Sequence, residues 1–112
     1  MRTIRSSQEF DEIFRESKRV SHPLVIALIR KTPPQRGPGG RVAFVAGKKL
    51  GGAVLRNRSR RVLREAARLA GAPWDGMDVV LIARSATASA PPDRLREAMA
   101  RLAPYPTGEG WR

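Results

Sequence analysis

The sequence contains no cysteine, so neither a disulfide framework nor a thiolate metal site can be built from it. That suits a reducing cytosol. It has one histidine, His22, which sits beside Pro23 in an expected turn with no evident partner and reads as a surface residue rather than a general base. Long apolar runs are missing too: the longest, LVIALI at 24–29, is far too short to span a bilayer. The opening MRTIRSSQEF lacks the apolar stretch and cleavage signal of a secretory peptide. The expected setting is therefore the cytoplasm, with no membrane partner. Acids are scarce: 10 Asp and Glu face 22 Lys and Arg, for a net charge of +12. Such an excess favours a polyanionic partner, meaning nucleic acid or an anionic membrane surface.

What is present describes one small domain. A chain of 112 residues can bury a modest core but not two. Ser6-x-x-Glu9 has capping-box spacing and opens a helix carrying Phe10, Ile13 and Phe14, which should end near Ser17. LVIALIR (24–30), RVAFVA (41–46) and DVVLIA (78–83) have the length and β-branched content of strands. The last is apolar on consecutive positions, so it should be central. KTPPQRGPGG between the first two is an irregular connection. A long basic helix over 53–70 should stop at Gly71 and Pro73. DRLREAMARL should form a final helix with Leu95, Ala98, Met99 and Leu102 on one stripe. The expected ordered core is about residues 6–102, followed by a flexible tail, 103–112. The order helix, strand, strand, helix, strand, helix implies an α+β two-layer sandwich, with helices packed on a small, mostly antiparallel sheet.

The basic helix carries the strongest functional signal. Val62, Leu63, Ala66, Ala67, Leu69 and Ala70 should form its apolar arc, with Arg56, Asn57, Arg60, Arg61, Arg64 and Arg68 opposite and Glu65 at the edge. Solvated helix faces usually mix charge signs. This one barely does, because residues 41–70 hold nine Lys and Arg against one Glu. A Glu65 pair with Arg61 or Arg68 is worth only ~0.2–0.5 kcal/mol, so it cannot offset the rest. Arginine outnumbers lysine throughout, and its planar fork grips phosphate bidentately and stacks on bases. Gly47-Lys48 is not a nucleotide-binding loop, since the GxxxxGK[ST] frame is absent.

The stretch GKKLGGAVLRNRSRRVLREAAR, residues 47–68, resembles the signature of the bacterial ribonuclease P protein subunit family. The matching positions are Lys48, Lys49, Gly51, Ala53, Val54, Arg56, Asn57, Arg58, Arg60, Arg61, Arg64 and Glu65. QEFDEIF resembles the family's first helix, and DVVLIARSAT the strand after the basic helix. The resemblance implies a ribosomal-protein-like domain with a left-handed crossover around the arginine helix. It implies a catalytic RNA as partner, with Mg2+ on that RNA performing the hydrolysis that removes the 5′ leader of precursor tRNA. The protein is expected as a monomer in that assembly, with no catalytic residue and no metal site of its own. Lys48, Lys49, Arg56, Asn57, Arg58, Arg60, Arg61, Arg64 and Arg68 would meet the catalytic RNA. Phe10, Phe14 and Phe44 would line a cleft for the single-stranded leader, although Phe44 fits a core position equally well. Two positions depart from the family pattern. The first predicted strand has Ala27 where an aromatic is frequent, and Gly52 stands where Asn is usual.

Two other classes remain to be weighed. A protein nuclease needs clustered carboxylates or a histidine. Asp11 and Glu12 diverge on the first helix; Glu12 and Glu16 can share a face, but read as solvated surface. A ribosomal or architectural nucleic-acid-binding protein fits the composition equally well, and only the motif argues against it.

Overall fold

In a computed structural model, residues 4, 7–36 and 39–102 are described, and they form four strands and three helices. The order is α1 (Ser7–Glu16), β1 (Lys18–His22), β2 (Val25–Lys31), β3 (Arg41–Val45), α2 (Ala53–Leu69), β4 (Met77–Ala83) and α3 (Pro92–Leu102). The sheet order is β1-β2-β4-β3. β1 pairs antiparallel with β2, and β2 antiparallel with β4. β3 lies parallel to β4 and reaches it through α2. The mostly antiparallel α+β sheet and the central place of DVVLIA agree with the sequence reading. The Ser6 capping position, the Leu102 side chain and the tail 103–112 lie outside the described residues.

Strand alternation divides the apolar side chains between two faces. Val25, Ala27 and Ile29 of β2, Val42 of β3, and Val79 and Leu81 of β4 form one buried cluster. Leu63, Ala66 and Ala67 of α2 and Leu95, Ala98 and Met99 of α3 cover it. On the opposite face, Leu28, Ala43 and Val80 pack with Ile4 and with Ile13 of α1, flanked by Phe10, Val45 and Ile82. The principal sandwich is thus two-layered, and α1 adds a partial cover on the other side.

β1 is absent from the sequence expectation. Its segment, KRVSH, offers only Val20 to the core, and its remaining side chains are mostly exposed. A charged edge strand carries little periodic signal, and that same charge discourages pairing with another chain. His22 consequently ends a strand rather than sitting in the turn, and it does have a partner. Its Nδ1 accepts a hydrogen bond from the Leu24 amide at 3.1 Å, fixing the turn into β2. Thr87, fully buried, ties the loop after β4 to that turn. Its hydroxyl donates to the Leu24 carbonyl at 2.6 Å and accepts from the Arg84 amide at 2.8 Å.

Gly40, just before β3, faces the turn that leads into β4. A Cβ there would lie 1.8 Å from the Trp74 carbonyl oxygen and 2.5 Å from that of Met77, both backbone atoms that cannot rotate away. Gly47 has nothing within 4 Å of the same position. Gly40→Ala should therefore destabilise the fold by ~1–3 kcal/mol or more, as overpacking does. Gly47→Ala should stay within ~0.5 kcal/mol. Denaturant melts of both variants check this; equal stability of the two would contradict the packing.

Candidate nucleic-acid interface

α2 is held by a narrow apolar stripe. Leu63, Ala66 and Ala67 are buried, and Ser59 joins them by returning its hydroxyl to the Leu55 carbonyl at 2.9 Å. Small residues let the helix lie close to the sheet, so the long side chains opposite project away. Asn57, Arg60, Arg61 and Arg64 line one shallow groove with Val54. Arg60 is hydrogen-bonded to Asn57 one turn earlier. Among the described residues, Arg58, Arg61 and Arg64 make no ion pair. Arg68 does: it chelates Glu65 through Nε at 3.1 Å and Nη2 at 2.6 Å. That hydrogen-bonded guanidinium holds the Glu65 carboxyl below its usual range. One acid thus occupies one arginine, and the rest of the face stays cationic.

Two positions differ from the helical expectation. Arg56 lies on the inner flank and is half-buried, not on the outward arc. Leu69, on the apolar arc of the helical wheel, is 50% exposed. Arg58 sits on the other flank from the groove, where with Arg61 it rims a cavity of about 650 Å3 floored by Val62, Leu95 and Pro92.

The entrance to α2 adds further cations. Lys48 and Lys49 stand exposed on a 3-10 turn, Lys48–Leu50. Gly51 follows at φ 135°, a conformation that favours glycine, and Gly52 caps the helix without a side-chain hydrogen bond. An Asn at 52 could have supplied that bond. The first residues of α2, Ala53–Leu55, are exposed, and Lys48 and Lys49 stand a few residues ahead of them in the chain.

The three phenylalanines do not line one cleft. Phe10 and Phe14 are one turn apart on α1, their rings 6.3 Å between centroids at 28°, and Phe14 is 53% exposed. Beside them the sheet offers the half-buried Ile26, Val45 and Ile82. Phe44 is on the opposite sheet face, packed against the α2–α3 core, with the Arg64 guanidinium 5.1 Å above its ring. Alternation along β3 settles this: Phe44 shares a face with the buried Val42, while Ala43 and Val45 point to α1. Ala27 likewise faces α2 and α3, so the residues that β2 turns toward α1 are Ile26, Leu28 and Arg30.

Three of the α1 carboxylates are paired with arginines of the sheet, although Glu16 is also exposed. Glu12 and Glu16 each accept from Arg30 Nη1, at 3.3 and 3.2 Å, and Glu9 is paired with Arg41. Arg30 and Arg41 are both buried and both reach the fully buried Asp78, at 3.1 and 3.0 Å. Burial pulls the Arg41 pKa down, but the hydrogen bonds and charges of Asp78 and Glu9 more than offset this and raise it. Glu9, Glu12, Glu16 and Asp78 are thus held by arginines and do not form an open metal-ligand set. This network was not foreseen in the sequence, where charges inside strands gave only the weak hint of Arg30, Arg41 and Asp78 at strand ends.

Comparisons with known proteins bear on the family and the fold. A family model described as Ribonuclease P matches residues 1–104. The ribonuclease P protein component of Symbiobacterium thermophilum is 36% identical over 103 residues, covering 88% of this chain and 85% of that protein. That of Ruegeria pomeroyi is 49% identical over 87 residues, covering 69% and 68%. Among solved structures, the RNase P protein from Thermotoga maritima superposes with a TM-score of 0.79 at 26% identity, covering 96% of this chain and 100% of that one. A Staphylococcus aureus RNase P protein shares the fold, with a TM-score of 0.75 at 20% identity over 91% of this chain and 92% of that one.

A cationic face of this kind predicts steep salt dependence. If five of its charges neutralise phosphates, affinity for a structured RNA should fall with a log–log slope on the order of −4. Arg61→Gln should flatten the slope by roughly 0.7–0.9. Filter binding across a salt series measures both, and a slope near zero would exclude α2 as the contact surface.

Proposed function

Since the chain belongs to the ribonuclease P protein family, we propose a division of labour between its two faces within that ribonucleoprotein. It is the protein subunit of ribonuclease P. The α2 face, with Lys48 and Lys49, grips the catalytic RNA. The α1 face holds the single-stranded 5′ leader of precursor tRNA, with Phe10 and Phe14 as the stacking platform and Ile26, Val45 and Ile82 as its apolar margin. One protein copy acts per RNA, in the cytoplasm. Hydrolysis belongs to the RNA and its Mg2+, and the protein supplies positioning and charge screening. The observation that carries this reading is the one-signed arginine face of α2, in a chain that the family model covers almost throughout.

The charge chemistry fits that assignment. Arginines 60, 61 and 64 project from one side of a rigid helix, so they present a fixed pattern of donors to backbone phosphates. Stacking on Phe10 and Phe14 reads no base identity, which suits leaders of varied sequence. Glu9, Glu12 and Glu16 of α1 are held in ion pairs with Arg30 and Arg41, which leaves Asp11 alone rather than a carboxylate cluster to activate water.

Two measurements test the division. Replacing Arg60, Arg61 and Arg64 together should cripple cleavage at low Mg2+ and largely spare it at high Mg2+, because screening can be replaced by ions. A protein nuclease would instead lose several orders of magnitude when its carboxylates were changed, with no rescue. Single-turnover cleavage of precursor tRNA across a Mg2+ titration separates these outcomes. Phe14→Ala should weaken precursor tRNA binding by the holoenzyme by ~1–3 kcal/mol and leave mature tRNA binding unchanged. Phe44→Ala should show no such leader preference. Equal losses for precursor and mature tRNA in folded Phe14→Ala protein would place the leader elsewhere.

A further inference from the structure

The inner side of α1 is divided lengthwise. Ile13 is fully buried in the middle, Phe10 and Phe14 lie along one flank, and Glu9, Glu12 and Glu16 lie along the other. The acidic flank is clasped to the sheet. Arg41 of β3 takes Glu9, and Arg30 of β2 takes Glu12 and Glu16 through one nitrogen. Both arginines are anchored from below on Asp78 of β4. Beyond this clasp the helix is held only by a narrow apolar strip, the fully buried Ile13 and the half-buried Phe10 that packs on the same cluster. A helix seated on so narrow an apolar strip can roll about its axis, and any roll would carry Phe10 and Phe14 toward or away from the sheet margin.

We propose that Arg30, through Glu12 and Glu16, is a positioning residue for leader binding: it sets the roll of α1 so that the Phe10–Phe14 pair is presented beside Ile26, Val45 and Ile82. This rests on the leader reading of the α1 face and adds a cause for its geometry. The Glu16 carboxylate, 59% exposed, contributes little to stability of its own, as exposed ion pairs seldom do. Its contact with a 5% exposed arginine is instead a geometric constraint on the last turn of the helix. Glu12 supplies the same constraint one turn earlier. Gln is isosteric with Glu and keeps Arg30 paired with Asp78, so substitution on α1 loosens the clasp without leaving an unpaired charge in the sheet.

The test uses the reconstituted holoenzyme and precursor tRNAs whose leaders are either long enough to cross the α1 face or one nucleotide long. Glu12→Gln/Glu16→Gln should weaken binding of the long-leader substrate about 3- to 10-fold, raising KM while leaving the rate at saturation in place. The one-nucleotide substrate and the affinity for the catalytic RNA should be unaffected. Glu16→Gln alone, at an exposed site that the fold tolerates, should show a smaller loss of the same leader-dependent kind. Glu12→Asp/Glu16→Asp, which retains charge but shortens reach, should not restore binding; restoration would show that charge rather than the seating of α1 matters, and would overturn the proposal. So would no loss for the long leader, or an equal loss for both leaders. Phe14→Ala, run in parallel, separates the two levels of inference. If it too shows no leader-dependent loss, the leader reading of this face fails; if it does while the Glu variants do not, only the clasp fails.

Discussion

The fold depends on one buried carboxylate. Asp78 of β4 stands in register with Arg30 of antiparallel β2 and with Arg41 of parallel β3, and it binds both. β2 is separated from its neighbour β4 by β3 and α2, and β3 from β4 by α2, so no tight turn joins these pairs and local turn geometry cannot set their register. The ion cluster can. A slip of one residue would turn Asp78 into the apolar face occupied by Val79 and Leu81, and would orphan two buried guanidinium groups. Removing one partner from such a buried cluster costs about 3–5 kcal/mol, although an apolar replacement of the whole set could be as stable. Its use here is in specifying one arrangement of strands.

The same cluster sorts charge between the two sides of the molecule. Four of the 10 acids are spent on Arg30 and Arg41, facing α1. α2 itself carries one acid, Glu65, which Arg68 occupies. A chain with a net charge of +12 therefore presents a strongly cationic α2 face, while most acids of α1 are paired with the buried arginines of the sheet. Phosphate contact belongs naturally to the first, and base stacking on Phe10 and Phe14 to the second. The division follows from where the carboxylates fold, beyond what the total charge conveys.

Much of this was legible beforehand. The long motif at 47–68, the 3.6-residue periodicity of α2 and α3, and the unbroken apolar run of β4 each reflect one repeating physical requirement. Features that failed to show are those set by tertiary partners. β1 is polar because it is an edge, so its alternation is faint. Arg56 turned inward because the buried stripe of α2 is set by Ser59, Leu63 and Ala67, and its N-terminal extension passes under position 56. Glu12 and Glu16 resembled solvent-facing acids because their partner, Arg30, is remote in sequence on another element.

Phe44 illustrates how placement changes a role. On the face toward α1 it would have been a third stacking ring for a leader. On the face it occupies, one side of the ring packs into the core and the other supports Arg64. A guanidinium over an aromatic face gains about 0.5–1 kcal/mol at an exposed site, and its edge donors stay unused. Arg64 is thereby fixed at its carbon while its nitrogens remain available to phosphate. A flexible side chain loses rotamer freedom on binding; one already seated on a ring loses less. The aromatic at position 44 thus serves the arginine face from beneath, and the sheet supports both surfaces of the protein: Ala43 and Val45 sit beneath α1, and Phe44, between them, holds a cation of α2 in place.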